Sequence, residues 1–261
     1  MATTVTYKGA TLTTVDNATK VLQTAGKWCE DDFTLVDVSG GGTGWTTDGI
    51  ATNTEPNGSI TLGNSVTNIP AYGLAGAPIT RCIAPKVTSV QQYAFQNAFD
   101  GTNGRIEATD FPLLTGINGA FESSNVTYAK MTSVTGAIMY AFRNCKKLVE
   151  LHLPNATGNI DRTALGCTLL QVADCGTGNI SNGTSFQNCT ALRTLILRKT
   201  GSIQTLNAWS ANCLGGIYNN PSASTIYVPQ ALISTYQTAT NWSSAYSAGV
   251  TFAKIEGSIY E

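Results

Sequence analysis

"YAFRNCKKLVELHLPNATGNI", residues 140–160, holds the only histidine of the chain, His152, with Cys145 upstream and Glu150 two positions before it. Taken alone, these residue types suggest an active site. Set under its neighbours, the same stretch is one copy of a repeating unit. "ITRCIAPKVTSV" (79–90) aligns with "LVELHLPNATGNI" (148–160), Pro85 under Pro154, and "IEATDFP" (106–112) brings Pro112 to that column. "VTYAKMTSV" (126–134), "LQVADCGTGNI" (170–180), "LRTLILRKTGSI" (192–203) and "TIYVP" (225–229) continue the series. Each strand follows an apolar anchor: Phe95, Phe121, Phe142, Leu165 or Phe186. A period of about 20–27 residues is that of a leucine-rich solenoid.

Side chains alternate between the two faces of a strand, so parity assigns the faces. Leu151 and Leu153 point inward with Leu195 and Leu197, as do the pairs Cys82/Ala84, Thr109/Phe111, Ala129/Met131 and Ala173/Cys175. One outward column reads Arg81, Ala108, Tyr128, Glu150, Val172, Thr194; the other reads Ile83, Asp110, Lys130, His152, Asp174, Ile196, Tyr227. Inner columns are small or apolar throughout. Outer columns change chemical type at every rung. This contrast predicts parallel strands stacked with one uniform buried side and one varied exposed side.

Cys145, Cys167 and Cys189 recur at equal spacing before the strand, with Cys213 slightly later. Rungs about 4.8 Å apart would line these thiols up as a ladder. Side chains in a line do not converge on a tetrahedral metal, and there is no Cys-x-x-Cys. The seven cysteines are therefore expected to be reduced, without metal, behaving as small hydrophobes.

Composition narrows the function classes. Charged residues are 12%, and 15 Lys and Arg against 16 Asp and Glu leave a net charge of −1, which excludes the basic patch that nucleic acid requires. No apolar run approaches the roughly 20 residues of a membrane span. The opening "MATTVTYKGATLTTVDNATK" lacks the regions of a signal peptide, so folding in a cytoplasm is expected. The Asn-x-Ser/Thr triplets at Asn17, Asn125, Asn155 and Asn182 follow from an Asn- and Thr-rich composition.

The rungs resemble the BspA-like leucine-rich repeat family, whose units read I-x-x-x-A-F-x-x-C-x-x-L-x-x-[IL]-x-[IL]-P. "GAIMYAFRNCKKLVELHLPNATGNI" and "GTSFQNCTALRTLIL" carry the likeness, while "RTALGC" departs at the aromatic anchor and the unit at 117–134 lacks the proline. The resemblance implies a β-rich α/β solenoid of stacked parallel strands that acts as a display scaffold rather than an enzyme. A second likeness lies upstream. "LQTAGKWCEDDF" (22–33), followed by "SGGGTG" (39–44), resembles an N-terminal module of structural proteins of phages that infect Gram-positive gut bacteria. This implies a fibre or tail-type virion protein assembled in the host cytoplasm.

The expected organisation has four parts. Residues 1–38 form a small β module, with strands around Val5, Tyr7, Phe33 and Leu35 turning at Lys8–Gly9 and Ala25–Gly26. Residues 39–48 are a glycine-rich linker. Residues 49–228 are the repeat solenoid, with an N-terminal cap in 57–76. Residues 229–261 are a C-terminal cap: a helix from Ala231 to about Tyr246 and a strand within 249–257. A module as small as 1–38 is expected to contact other virion proteins and to form a homo-oligomer.

No catalytic residue, cofactor or metal ligand is expected. His152 has no second histidine, no nucleophile elbow or phosphate loop occurs, and the acids of "CEDD" (29–32) read as solvated rather than as a calcium loop. The outward residues Tyr128, Lys130, Glu150, His152, Asp174, Ile196 and Tyr227 are the expected binding face for a bacterial surface glycan or protein. Two alternatives remain open at this point. One is a bacterial surface adhesin on the same repeat, which would need export and anchoring signals. The other, weaker, is a polysaccharide-degrading enzyme using Glu150 and Asp174, since paired carboxylates on adjacent rungs suit glycoside hydrolysis.

Overall fold

Strands begin at residues 128, 150, 172 and 194, a constant step of 22 residues. The computed structural model describes residues 3–7, 10–14, 33–35, 59–62, 67–77, 79–181 and 183–261. The Ala25–Gly26 turn, the acids at 29–32 and the segment 39–48 lie outside the described residues.

In chain order the strands are β1 (Thr3–Tyr7), β2 (Ala10–Thr14), β3 (Phe33–Leu35), β4 (Ser59–Thr61), β5 (Asn68–Ile69), β6 (Arg81–Ile83), β7 (Ser89–Val90), β8 (Arg105–Ile106), β9 (Tyr128–Lys130), β10 (Glu150–His152), β11 (Val172–Asp174), β12 (Thr194–Ile196), β13 (Thr225–Val228) and β14 (Thr251–Lys254). β8 to β14 form a seven-stranded parallel sheet in sequence order. β1 and β2 pair antiparallel, Tyr7 beside Ala10, while the expected Lys8–Gly9 turn itself lies outside the described residues. β1 then pairs with β3, β3 with β4 and β4 with β6, so one five-stranded sheet runs from β2 into the repeats. Within the segment 57–76 expected as a cap, the described strands pair as those of a further rung do: β4 with β6, and β5 with β7.

The predicted registers hold from β9 to β13. Ala129, Leu151, Ala173 and Leu195 are abreast and buried. The rung before them is a correction. Its strand is Arg105–Ile106, with Ile106 beside Ala129, whereas Ala108 and Thr109, expected at strand positions, belong to a turn. Glu107 N–H donates to Asp110 Oδ2 at 2.8 Å and closes that turn. The register then resumes: Ala84 N–H reaches Asp110 O at 2.7 Å, as Leu153 N–H reaches Asp174 O at 2.7 Å. The excursion interrupts pairing between β6 and β8 and separates the two sheets.

Midway between strands, each rung contributes its anchor to the core. Phe95 stacks on Phe121 at 4.8 Å and 17°, and Phe121 on Phe142 at 5.2 Å and 7°, within the range favourable for offset aromatic pairs. Ala164 takes the next place, correcting the expected Leu165, which is only half-buried. The thiol ladder explains the shift, since the cysteine stands three residues after its anchor in each of these rungs. Cys145, Cys167 and Cys189 donate to the carbonyls of Phe121, Phe142 and Ala164 at 3.0, 3.0 and 2.9 Å. All three are buried and free. Burial pushes the Cys167 thiol well up, and that of Cys189 to about 12.

Two backbone demands recur. The left-handed region is entered two residues before and two residues after the anchors. The later column is Gly76, Asn97, Ser123, Asn144, Gly166 and Asn188, the residue types that bear positive φ most readily. Glycines 136, 158 and 178 lie where rungs touch. A Cβ on Gly178 would stand 1.9 Å from Gly158 O, so no side chain fits there.

The C-terminal cap has two short helices where one was expected. α1 (Ile233–Thr238) and α2 (Trp242–Ser247) are separated by Asn241 at φ 65°. The Asn241 amide donates to Leu206 O at 2.8 Å and Asn207 O at 3.1 Å. This break turns Trp242 into the core, where its indole donates to Gln204 O at 2.7 Å. β14 then adds a last parallel strand to β13.

Candidate functional site

The outward side of β9 to β13 carries residue types that change from rung to rung. Tyr128, Glu150, Val172 and Thr194 stand abreast in one column, and Lys130, His152, Asp174, Ile196 and Tyr227 in the other. A cleft of about 440 Å³ opens over them, within the range of small-ligand sites. Tyr128, Lys130, Glu150, His152 and Asp174 line it, together with Thr132, Pro154, Arg198 and residues 259–261.

Charge pairing organises the floor. His152 Nε2 is 3.0 Å from Glu150 Oε2. The His152 and Tyr128 rings are 5.8 Å apart, and the Arg105 guanidinium lies 4.9 Å from the Tyr128 centroid while also pairing with Glu107. Burial, then the charges of Glu107 and Glu150, raises the Tyr128 phenol, which therefore stays a protonated donor. Asp110 is held by Arg81, whose Nε donates at 2.7 Å. Asp174 is held by Arg198 Nε at 2.8 Å and by Gly176 N–H at 3.3 Å. Burial raises both aspartates above the usual carboxylate range, and the arginines oppose that rise without reversing it. Lys130 is exposed and has no ion-pair partner among the described residues.

Two expected surface residues are covered. Asp174 is 1% exposed and Ile196 0%. Parity gave their direction correctly, but a further layer lies above them. The C-terminal segment returns over this end of the face, with Tyr260 packed on Tyr227 at 4.8 Å and its carbonyl receiving Arg198 Nη2 at 2.6 Å. Tyr128, Glu150, His152 and Tyr227 are half-buried, and Lys130 is the exposed tip. The carboxylate pair of the hydrolase alternative is thus not presented, because Asp174 is enclosed with its own arginine. Arg198, absent from the sequence-based set, continues the parity of Thr194 and Ile196, a signal present in the strand itself. Residues 259–261 gave no such signal. Among the described residues no group of three or more His, Cys, Asp or Glu side chains is placed to hold a metal, and no helix is long and apolar enough to cross a membrane.

The profile of the BspA type leucine rich repeat region matches six copies, over residues 52–112 and 114–240. A solved structure of a leucine-rich repeat protein from Bacteroides ovatus ATCC 8483 is similar at 13% identity and a TM-score of 0.25, over 97% of this chain and 90% of that one. No curated protein matches the chain.

Proposed function

The chain belongs to the BspA-type leucine-rich repeat family; from that membership, together with the likeness of residues 22–33 to phage structural proteins, we propose that it is a non-enzymatic adhesion protein of a phage particle. Residues 1–38 attach it to other virion proteins as a homo-oligomer, and the outward strand face meets a glycan or protein on the bacterial surface. One observation carries this reading: a sheet uniform inside holds a cleft outside in which Tyr128, Lys130, Glu150 and His152 differ at each step. A face serving only the fold tolerates monotony there. The phrase "LQTAGKWCEDDF" supports the virion placement through its likeness to phage structural proteins.

The test is attachment of intact particles to host cells. Tyr128→Ala is expected to weaken attachment while the particle protein stays folded, at a stability cost of about 1 kcal/mol because the ring is half-buried beside His152 and Arg105. Attachment lost after periodate treatment of the cells identifies a glycan, and attachment lost after protease treatment identifies a protein. Deleting residues 1–38 is expected to remove the protein from purified particles while residues 49–261 still fold. Undiminished attachment by a folded Tyr128→Ala particle contradicts the role of this face, and a deleted chain still found in particles contradicts the anchor.

A further inference from the structure

The acids of the cleft floor, Glu150 and Asp174, already have partners, as do Glu107 and Asp110 on the rung beside it. Glu107 is paired with Arg105, Asp110 with Arg81, Glu150 with His152, and Asp174 with Arg198. At the far rim, Glu261 accepts from Gly257 N–H at 2.8 Å. Lys130 stands in the middle of this arrangement, abreast of His152 on the next rung and two residues from Tyr128 on its own strand. It is exposed, lines the cleft, and has no ion-pair partner among the described residues.

The pairings around it have a consequence for specificity. An acid on a neighbouring rung would ordinarily neutralise an exposed lysine, because opposite charges across a strand pair attract. Here the two aspartates of the same column are enclosed, each turned to an arginine, and Glu150 is engaged by the imidazole. The arginine pairings leave the ammonium of Lys130 as a cation directed to solvent inside a concave, partly desolvated site. Such a charge gains most from a ligand anion, because hydrogen bonds between ionised partners are the stronger class. The protonated Tyr128 phenol is a neutral donor, and Glu150, with one carboxylate oxygen turned to His152, is an acceptor. Anion, hydroxyl and hydroxyl is the pattern of an acidic sugar.

We propose that the cleft binds an anion-bearing saccharide unit, with its carboxylate or phosphate on Lys130 and its hydroxyls on Tyr128 and Glu150. This rests on the reading of the outward face as the binding surface, and adds to it the charge of the ligand and the residue that selects it. Surface uronic acids and phosphodiester-linked sugars share this chemistry, and the experiment separates them.

The full chain is titrated by NMR with glucuronate, glucose 6-phosphate and glucose. At least one acidic sugar is expected to bind at least tenfold more tightly than glucose, and the preferred one identifies carboxylate or phosphate as the source. Raising the salt concentration weakens that binding, since the contact is ionic. Lys130→Gln lowers affinity for the acidic sugar to that of glucose with unchanged melting, and Lys130→Arg retains it. Equal binding of all three sugars, or a folded Lys130→Gln chain with undiminished preference, overturns the proposal. If Tyr128→Ala abolishes cell attachment while Lys130→Gln leaves it intact, the anion assignment fails and the adhesive face stands.

Discussion

Arg198 joins the enclosed carboxylate of Asp174 to the backbone carbonyl of Tyr260, at 2.8 and 2.6 Å. One guanidinium thereby neutralises a buried charge and fastens the C-terminal segment over the strand face. Removing it leaves the buried Asp174 carboxylate without its counter-charge, an event that costs about 3–5 kcal/mol.

Arg198→Ala is therefore expected to lower stability by that amount at neutral pH. Burial already holds the Asp174 carboxyl above its ordinary value, and loss of the arginine raises it further. The folded variant then takes up a proton more readily than the unfolded chain. Its stability deficit falls as the solution is acidified and grows again as pH rises through the raised value. Urea titrations between pH 4 and 8 read this directly, and a deficit independent of pH contradicts the pairing.

The thiol ladder makes the opposite end of the pH scale informative. Unfolded cysteine ionises near pH 8.5, whereas Cys189 in the fold is pushed up to about 12 and Cys167 well above its usual value. The contribution of Cys167 and Cys189 is complete below the unfolded value and is lost as pH rises from there towards 12, because only the unfolded chain releases these protons. Melting temperature is expected to decline from about pH 9 upwards. The decline should be shallower in a Cys167→Ser, Cys189→Ser chain. At pH 8 the three native thiols should resist a disulfide reagent until the chain unfolds.

Phe121 lies between the rings of Phe95 and Phe142 and meets Phe111 edge-on at 5.9 Å. Phe121→Ala is expected to cost about 3–5 kcal/mol by opening a cavity shared by three rungs. Denaturant melts at a single pH measure it, and a loss below 1 kcal/mol would indicate that neighbouring rungs close the gap.

Glycine tolerance is graded along the stack. A Cβ on Gly116 meets nothing nearer than 3.8 Å, whereas on Gly178 it would lie 1.9 Å from Gly158 O. Gly116→Ala should be silent, and Gly178→Ala should destabilise more than any exposed substitution, by well over the usual 0.5 kcal/mol or so. Equal melting of the two variants contradicts the rung contact.

Much of this architecture is legible in the sequence because inward residues repeat in kind. Leu151, Leu153, Leu195 and Leu197 fix their rungs by parity alone. The rung at 105–111 was legible only in part. Pro112, Phe111 and Asp110 do hold the shared columns, but a local turn closed by the Asp110 side chain moves the strand back to Arg105–Ile106. Asp174 and Ile196 show a different limit. Alternation tells which way a side chain points and says nothing of what arrives above it from a distant part of the chain, here residues 259–261. In the cap, helical spacing around Tyr236 and Trp242 marked the apolar face correctly. The break at Asn241 depends on amide bonds to Leu206 and Asn207 that no local pattern encodes.

The interruption between β6 and β8 also bears on how the molecule comes apart. In a linear array each unit is held chiefly by its two neighbours, so cooperativity is set by the weakest junction. At this junction the strand side keeps only separate bonds, Arg105 N–H to Thr80 O at 2.8 Å and Ala84 N–H to Asp110 O at 2.7 Å, with the Arg81–Asp110 pair, while the anchor turns stay bonded through Tyr93 N–H to Gly119 O at 2.9 Å and the Phe95–Phe121 stack. Amide exchange should accordingly resolve two protected blocks that open with different free energies, one on either side of residues 107–110. Pulled from its ends, the chain should yield in two steps and not as one unit.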